Sequence, residues 1–176
     1  DTMIVMSGSN DLPNTTPSVT MRYVKRAFDL MRSANPKLKI IMITEWLQPK
    51  RLELADEVNE YNNLLALYQK ENSDWFTLVD AYDIVLLPDG SLNKSIFIDV
   101  YHINDSGYET LQKRINDALD GKYKYDPDIK PVQPEDPDVL YNVGSPAGIR
   151  IDTDAQGNKT YTSLFPNQLI MFKNIE

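Results

Sequence analysis

The sequence of 176 residues contains no cysteine and only one histidine. The lack of cysteine excludes disulfides, thiol catalysis and thiolate metal sites, and it leaves the redox compartment open. A single histidine without cysteine also argues against a zinc site, so no metal or other cofactor is expected. Basic residues are few as well, because 18 Lys and Arg stand against 26 Asp and Glu, for a net charge of -8. Since no basic cluster occurs, binding to nucleic acid or to an anionic membrane surface is not expected.

Long apolar runs are absent too. No stretch approaches the roughly 20 apolar residues of a membrane-spanning helix, and no signal peptide stands at the N-terminus. The chain begins at Asp1 without a Met and almost at once enters the apolar run Met3-Ile4-Val5-Met6. We therefore expect that a buried strand has lost the segment before it and that the chain is a truncated or split product. An export signal would lie in that segment, so an extracytoplasmic location is favoured on this expectation alone.

Apolar runs and helical periodicities alternate along the first 120 residues. Three short apolar runs predict buried parallel strands, and three longer segments with apolar residues at helical spacing predict helices. The predicted strands cover residues 2–7, 38–44 and 75–79, and the predicted helices cover residues 17–34, about 52–72 and about 105–119. This order favours an α/β fold with a parallel sheet flanked by helices. Three strands make an incomplete sheet of this kind, which is a second sign of a missing N-terminal part.

Helical spacing also predicts which side of each helix is buried. For the third helix, Ser106 and Glu109 have the spacing of a capping box at its start. The expected apolar stripes consist of Val19, Tyr23, Ala27 and Leu30 in the first helix, Leu54, Val58, Tyr61, Leu65 and Tyr68 in the second, and Tyr108, Leu111, Ile115 and Leu119 in the third.

The composition changes after Gly121. Four prolines alternate with Asp and Glu between residues 127 and 137, which predicts an extended strap rather than a packed core. Beyond it, residues 149–152 and 159–162 flank a turn-rich segment and predict a β-hairpin, and residues 164–172 predict one more strand. Two parts are therefore expected: a domain over residues 1–121 and a C-terminal β extension over residues 122–176.

The first polar motif of interest is Gly8-Ser9-Asn10-Asp11, which follows the first predicted strand. Open parallel sheets bind their ligands at the carboxyl ends of the strands. From that position, the short side chain of Asn10 can point its amide donors into the crevice and stabilise an oxyanion. The alternative is a plain turn, because all four residues are of the types that favour turns.

The second motif is Asp99-Val100-Tyr101-His102, which contains the only histidine. A carboxylate three residues before an imidazole can accept a hydrogen bond from one ring nitrogen. This bond fixes the tautomer and leaves the other nitrogen free to take a proton from a nucleophile. The alternative is a surface histidine beside a loop aspartate.

Together, the two motifs resemble those of the SGNH hydrolase (GDSL-like lipase/acylhydrolase/esterase) family. In that family a GxND motif follows a central strand, a DxxH motif precedes the last helix, and two strand-helix units lie between them. Segments 3–11, 79–82 and 99–108 are all similar to family sequences. The resemblance covers about residues 1–120. It implies a three-layer, flavodoxin-like α/β fold with a parallel sheet, here without its N-terminal part.

The resemblance also implies roles for individual residues. Asn10 corresponds to the side-chain oxyanion donor, His102 to the general base and Asp99 to its orienting partner, while Gly8 allows the tight turn at the strand end. The implied reaction is ester hydrolysis or acyl transfer through an acyl-serine intermediate, as in an acyl or acetyl esterase or a lipase-like enzyme. The expected substrate is a small-molecule or carbohydrate ester, and an acetylated sugar is preferred because no long apolar lid segment is visible.

One part of the family pattern is not found. The nucleophile of the family lies in a GDS-type motif after its first strand, and a further oxyanion glycine follows it; neither motif occurs here. Ser7 and Ser9 lie beside Asn10, but the variable residue of GxND has no nucleophilic role in the family. Ser145 precedes Pro146, which lacks a backbone N–H. We expect the isolated chain to be inactive and an N-terminal companion segment or chain to supply the serine.

A rival interpretation is a non-catalytic module that binds glycan or protein on an SGNH-like scaffold. The acidic, proline-rich strap and the predicted hairpin after it support this alternative. Among other conspicuous residues, Trp46 lies where substrate can pass, but packing is the more common role of an aromatic residue at a strand end. Glu45, Asp56 and Glu57 are expected to be solvated.

Overall fold

The computed structural model describes residues 1–125 in full and the backbone of residues 139–141, 148–153 and 159–163. The chain separates into two compact units, Asp1–Val132 and Gln133–Glu176. Both motifs of interest lie in the first unit. The predicted domain boundary after residue 121 stays a prediction.

The first unit is built on a three-stranded parallel sheet. Its strands, in spatial order, are β1 (Thr2–Val5), β2 (Lys39–Ile43) and β3 (Phe76–Val79). The central strand β2 pairs with both neighbours in parallel, as its uninterrupted apolar run predicts. All three strands therefore end at the same edge of the sheet, and the loops that follow them leave from that edge.

Three long helices accompany the sheet: α1 (Pro17–Ala34), α2 (Ala55–Glu71) and α3 (Asp105–Leu119). A short 3-10 helix, Leu52–Leu54, precedes α2. The predicted capping box at Ser106 is wrong, because the side chain of Asn104 caps α3 by accepting a hydrogen bond from the Gly107 N–H at 3.2 Å. Ser106 lies inside the first turn and donates its hydroxyl to Asn104 Oδ1 at 2.7 Å. This cap fixes the helix start directly after the histidine loop.

Alternation along β2 divides the core into two clusters. Ile40 and Met42 pack with residues of α1 and α2 on one face of the sheet, whereas Ile41 and Ile43 pack with α3 on the other. Full burial of an aliphatic side chain of this size stabilises the fold by roughly 1.5–3 kcal/mol. The result is three layers, which confirms the predicted flavodoxin-like α/β fold.

The buried stripes of the helices differ in part from those that the spacing predicted. In α1, Val19 is buried as expected, but Leu30 is 63% exposed because the packed face runs through Val24 and Phe28. Leu30 lies two residues beyond Phe28, and at about 100° per residue it points to the opposite side of the helix.

In α3, Leu111 is buried and Ile115 is half-buried, whereas Tyr108 and Leu119 are exposed. The stripe predicted for α2 is buried except for Leu54, which is half-buried. The stripe of α2 therefore packs largely as predicted. In α1, by contrast, the predicted Tyr23 and Ala27 are only half-buried, because the buried face runs through Val24 and Phe28.

The second unit contains an antiparallel sheet of β4 (Val139–Tyr141), β5 (Gly148–Thr153) and β6 (Lys159–Ser163). The predicted hairpin corresponds to β5 and β6, in which Asp152 lies opposite Thr160. The strap at residues 127–137 and the predicted strand at residues 164–172 lie outside the described residues. Within the part of the chain that the structure describes, no helix is both long and apolar enough to cross a membrane.

Candidate active site

The loop after β1 is shaped by Gly8. Its φ of +136° is in the region that favours glycine, and a Cβ at this position would lie 2.6 Å from Cε1 of Tyr61. The Gly8 carbonyl accepts hydrogen bonds from the N–H groups of Asp11 at 2.9 Å and Leu12 at 3.0 Å. Leu12 is buried and anchors the loop in the core. Asn10, at the tip of this turn, is exposed. The motif therefore forms a turn and also leaves the Asn10 side chain accessible.

Tyr61 holds the same loop from the side of α2. Its hydroxyl donates a hydrogen bond to the Ser7 carbonyl at 2.8 Å, and the residue is fully buried. Burial raises the pKa of Tyr61 far above its usual range, with smaller contributions from Glu45 and Asp11. The hydroxyl therefore stays protonated and remains a donor. The Tyr61 ring also leaves no room for a side chain at position 8.

Asp99 and His102 are in direct contact. His102 Nδ1 lies 2.8 Å from Asp99 Oδ2, and the backbone N–H groups of Tyr101 and His102 each donate to Asp99 Oδ1 at 2.7 Å. The hydrogen bond from the His102 side chain, followed by these two backbone bonds, lowers the pKa of Asp99 to about 2. Because an ionised carboxylate can only accept hydrogen bonds, Nδ1 carries a proton, and in the neutral imidazole Nε2 holds the lone pair. The imidazole is thus prepared to accept a proton at Nε2.

The backbone around this pair is held by the core. Ile103, next to the histidine, is buried beneath the loop. The Ile98 N–H donates to the His102 carbonyl at 2.9 Å, and the Asn104 N–H donates to the Ile96 carbonyl at 2.7 Å. The side chains of His102 and Asp99 are nonetheless 63% and 50% exposed. A fixed backbone and open side chains give a base that a substrate can reach.

The segment after β2 connects the two loops through Arg51. Its guanidinium donates a hydrogen bond to the carbonyl of Ser9 and lies 5.4 Å from the centre of the Tyr101 ring. Ser9 precedes Asn10, and Tyr101 precedes His102. The structure therefore links Asn10 to the Asp99 and His102 pair through one side chain, without direct contact between the two motifs in the described interactions.

Two further contacts tie this segment to the histidine loop. Trp46 Nε1 donates to the Tyr101 carbonyl at 3.1 Å, and the Lys50 N–H donates to the Val100 carbonyl at 3.2 Å. Trp46 is only 5% exposed and packs in the cluster under α3, which agrees with the packing role expected for it. Sequence reasoning missed the bridging role of Arg51, because an arginine in a loop carries no signal of its partners.

Glu45 is not solvated, and the expectation from the sequence is wrong. The residue is 1% exposed, because the Asn62 side chain accepts from its backbone N–H at 2.9 Å and donates to its carbonyl at 2.8 Å. Neither carboxyl oxygen makes a well-formed hydrogen bond among the described residues, and the Ser9 backbone N–H is the donor that approaches the carboxyl. Burial raises the pKa of Glu45 to about 7; Asp11 adds to the increase, and the Ser9 backbone N–H and Arg51 oppose it. Of the other two acids, Asp56 is exposed as expected and Glu57 is half-buried.

Other chemistry at this edge is limited. No group of three or more His, Asp or Glu side chains within the described part of the chain is arranged to hold a metal ion. The backbone carbonyl of Ser7 accepts a hydrogen bond from Tyr61, and that of Ser9 accepts one from Arg51. Ser145 lies outside the described residues, so the structure adds nothing on it.

Comparison with known proteins gives a consistent picture. A model of the GDSL-like Lipase/Acylhydrolase family matches residues 1–110. No functionally curated protein matches the chain. Among solved structures, the chain is similar to a GDSL-like lipase from Bacteroides thetaiotaomicron, with 22% identity and a TM-score of 0.54 over 68% of this chain and 62% of that one.

Two further solved structures share the fold. One is a member of the lipolytic protein G-D-S-L family from Veillonella parvula, with 21% identity and a TM-score of 0.56 over 68% of this chain and 63% of that one. The other is a carbohydrate esterase of family 3 from Talaromyces cellulolyticus, with 17% identity and a TM-score of 0.53 over 69% and 57%. The chain thus spans about three fifths of the length of the structures that it matches.

Proposed function

The chain belongs to the GDSL-like lipase/acylhydrolase family, and from this membership we propose that it supplies the oxyanion donor and the general base of a serine ester hydrolase. The observation that carries the proposal is the 2.8 Å contact between His102 Nδ1 and Asp99 Oδ2, which leaves Nε2 as the basic nitrogen of an exposed ring. A histidine oriented in this way is the proton acceptor that a serine nucleophile requires.

The proposed reaction proceeds in two steps. In the first, His102 Nε2 takes the proton of the serine hydroxyl while the serine oxygen attacks the ester carbonyl carbon. Asn10 donates its side-chain amide to the oxyanion of the tetrahedral intermediate. The carbon–alkoxy bond then breaks, His102 returns the proton to the departing alcohol, and an acyl-serine remains. In the second step, water repeats the sequence and releases the acid, while Asp99 keeps the imidazole in its tautomer throughout.

A companion segment that carries the serine is part of the proposal, because no GDS-type motif occurs in this sequence. The exposure of β1 supports it. Met3 and Ile4 of this strand are 42% and 47% exposed, and successive residues of a strand point to opposite faces. Both faces of this edge strand thus present apolar side chains to solvent. A further parallel strand paired with β1, together with the helices that would flank it, would cover these side chains, and its carboxyl end would lie at the same edge as Asn10.

We extend the proposal to the substrate as a short-chain ester, with an acetylated carbohydrate as the preferred class. The exposed pair of Asp99 and His102 supports an open site that admits a polar substrate. The fold shared with a carbohydrate esterase is in line with this class.

The experiment compares the chain alone with the product of its gene, including whatever is encoded upstream of Asp1. Release of p-nitrophenol from p-nitrophenyl acetate is the measurement, and His102→Ala is the inactive control. We expect a GDS-type motif roughly 60–120 residues upstream, about one domain's share of the sheet, and activity only in the longer product. If the chain alone is active and His102→Ala abolishes this activity, the proposal that a companion segment supplies the serine is overturned. An inactive longer product without the motif would favour a binding module, tested by glycan binding.

A further inference from the structure

A small cavity lies directly beneath the loop that carries Asn10. It has room for about one water-sized sphere, with a volume near 10 Å³. Its lining includes Ser9 from the loop after β1 and Glu45, Gln48 and Arg51 from the segment after β2. The cavity therefore lies between the residue that precedes the proposed oxyanion donor and the side chain that bridges to the histidine loop.

Two of the residues that line the cavity carry buried acceptor atoms with few donors around them. Both carboxyl oxygens of Glu45 and Oε1 of Gln48 are buried and make no well-formed hydrogen bond among the described residues. Buried polar atoms in folded proteins are nearly always hydrogen-bonded, and the Ser9 backbone N–H is the one protein donor that acts on the Glu45 carboxyl among the described residues, so these acceptors need a further donor. An uncharged Glu45 supplies one O–H donor to this set.

The charged and titratable groups that face Glu45 come from each element around it. Asp11 belongs to the loop after β1, Arg51 to the segment after β2 and Tyr61 to α2. Asp11 disfavours a charge on Glu45, Arg51 favours it, and Tyr61 stays neutral. The environment therefore leaves Glu45 able to change its charge near neutral pH, where Asp and Glu side chains are ordinarily ionised.

We propose that Glu45 is a positioning residue for the loop that carries Asn10, and that the gain or loss of its proton moves this loop through Ser9 and Arg51. While Glu45 is neutral, Arg51 remains on the Ser9 carbonyl and over the Tyr101 ring. When Glu45 ionises, the buried carboxylate, which the Ser9 N–H alone does not neutralise, attracts the Arg51 guanidinium. Arg51 then leaves the Ser9 carbonyl, and the connection between the two loops is lost.

The positioning claim is tested on the chain itself by nuclear magnetic resonance. The side-chain amide of Asn10 is followed from pH 5 to pH 9 in a ¹⁵N-labelled His102→Ala chain, in which no imidazole titrates. We expect an inflection near pH 7, where the Glu45 proton is lost. It should vanish when Glu45→Gln is added. It should persist when Glu53→Gln is added, because Glu53 is an exposed acid in the same segment of the chain.

Glu45→Met, which keeps the length of the side chain without a titratable group, is the second variant if the Gln variant does not fold. An Asn10 resonance without an inflection near pH 7 in the His102→Ala chain would overturn the proposal. An inflection that persists in either Glu45 variant would overturn it as well, since another group would then be its source.

The consequence for catalysis rests on the proposed function and is measured separately. In the complete hydrolase, we expect kcat for p-nitrophenyl acetate to fall several-fold between pH 7 and pH 9, with KM unchanged. Glu45→Gln should abolish this fall, and Glu53→Gln should retain it. A fall that Glu45→Gln leaves intact would overturn the catalytic consequence. If the complete protein has no esterase activity, the proposed function fails, while the resonance of Asn10 still decides the positioning role.

Discussion

Replacement of Glu45 by Gln is expected to change how the stability of the chain depends on pH. The folded protein holds the Glu45 proton up to about pH 7, whereas the unfolded chain loses it near the usual value of 4.5. Between these values the folded state binds more protons, so the free energy of unfolding falls as pH rises. At about 1.4 kcal/mol per pKa unit, the loss from this one group is about 3 kcal/mol and is complete above pH 7.

The assay is urea unfolding followed by circular dichroism at pH 4.5 and pH 8, for wild type, Glu45→Gln and the exposed control Glu53→Gln. Gln has nearly the same shape as Glu and does not titrate, so the variant should lose less stability than wild type between the two pH values, by about 3 kcal/mol. Glu53→Gln should follow wild type. If the loss of unfolding free energy between the two pH values differs by less than about 1 kcal/mol between wild type and Glu45→Gln, the claim that burial holds the proton on Glu45 is refuted.

Three further outcomes follow from the site geometry. Gly8→Ala should destabilise the chain by roughly 1–3 kcal/mol in thermal unfolding, because it adds a steric clash to the strain of a positive φ. Gly121→Ala, whose added Cβ meets nothing within 4 Å, should destabilise the chain less. Equal losses of stability in the two variants would contradict the clash at Gly8. Asp99→Asn should lower kcat of the proposed complete hydrolase on the order of 10³–10⁴-fold, because the amide no longer keeps the His102 proton on Nδ1. An unchanged kcat would exclude the orienting role of Asp99. Arg51→Ala should cost roughly 1–3 kcal/mol in urea unfolding, through a charged hydrogen bond and a cation–π contact, and a neutral effect would exclude the bridge.

Much of the fold could be predicted because its signals are local. Continuous apolar runs such as residues 40–43 indicate strands that are covered on both faces, and Pro17 with Asn35 marks the limits of α1. The two motifs were also recognisable, since Gly8 and the spacing of Asp99 and His102 carry their chemistry within a few residues. Spacing alone failed at Leu30, because it cannot tell which of two apolar stripes meets the sheet.

The remainder of the site depends on contacts between distant residues. Glu45 is buried because Asn62, 17 residues away, binds both of its backbone groups. Arg51 contacts Ser9, 42 residues away, and the ring of Tyr101. Only the folded chain brings these partners together. The one available signal was Asn62 itself, a buried polar residue beside the apolar stripe of α2.

The central claim is that His102, oriented by Asp99, activates a serine that lies beside Asn10 in the complete protein. Labelling with a fluorophosphonate tests it most directly, because the serine oxygen forms a bond to phosphorus and fluoride leaves only when a base takes the serine proton. We expect mass spectrometry of the complete protein to show one adduct on a serine upstream of Asp1, and His102→Ala to abolish it. No adduct, or an adduct that forms equally well in His102→Ala, would contradict the claim.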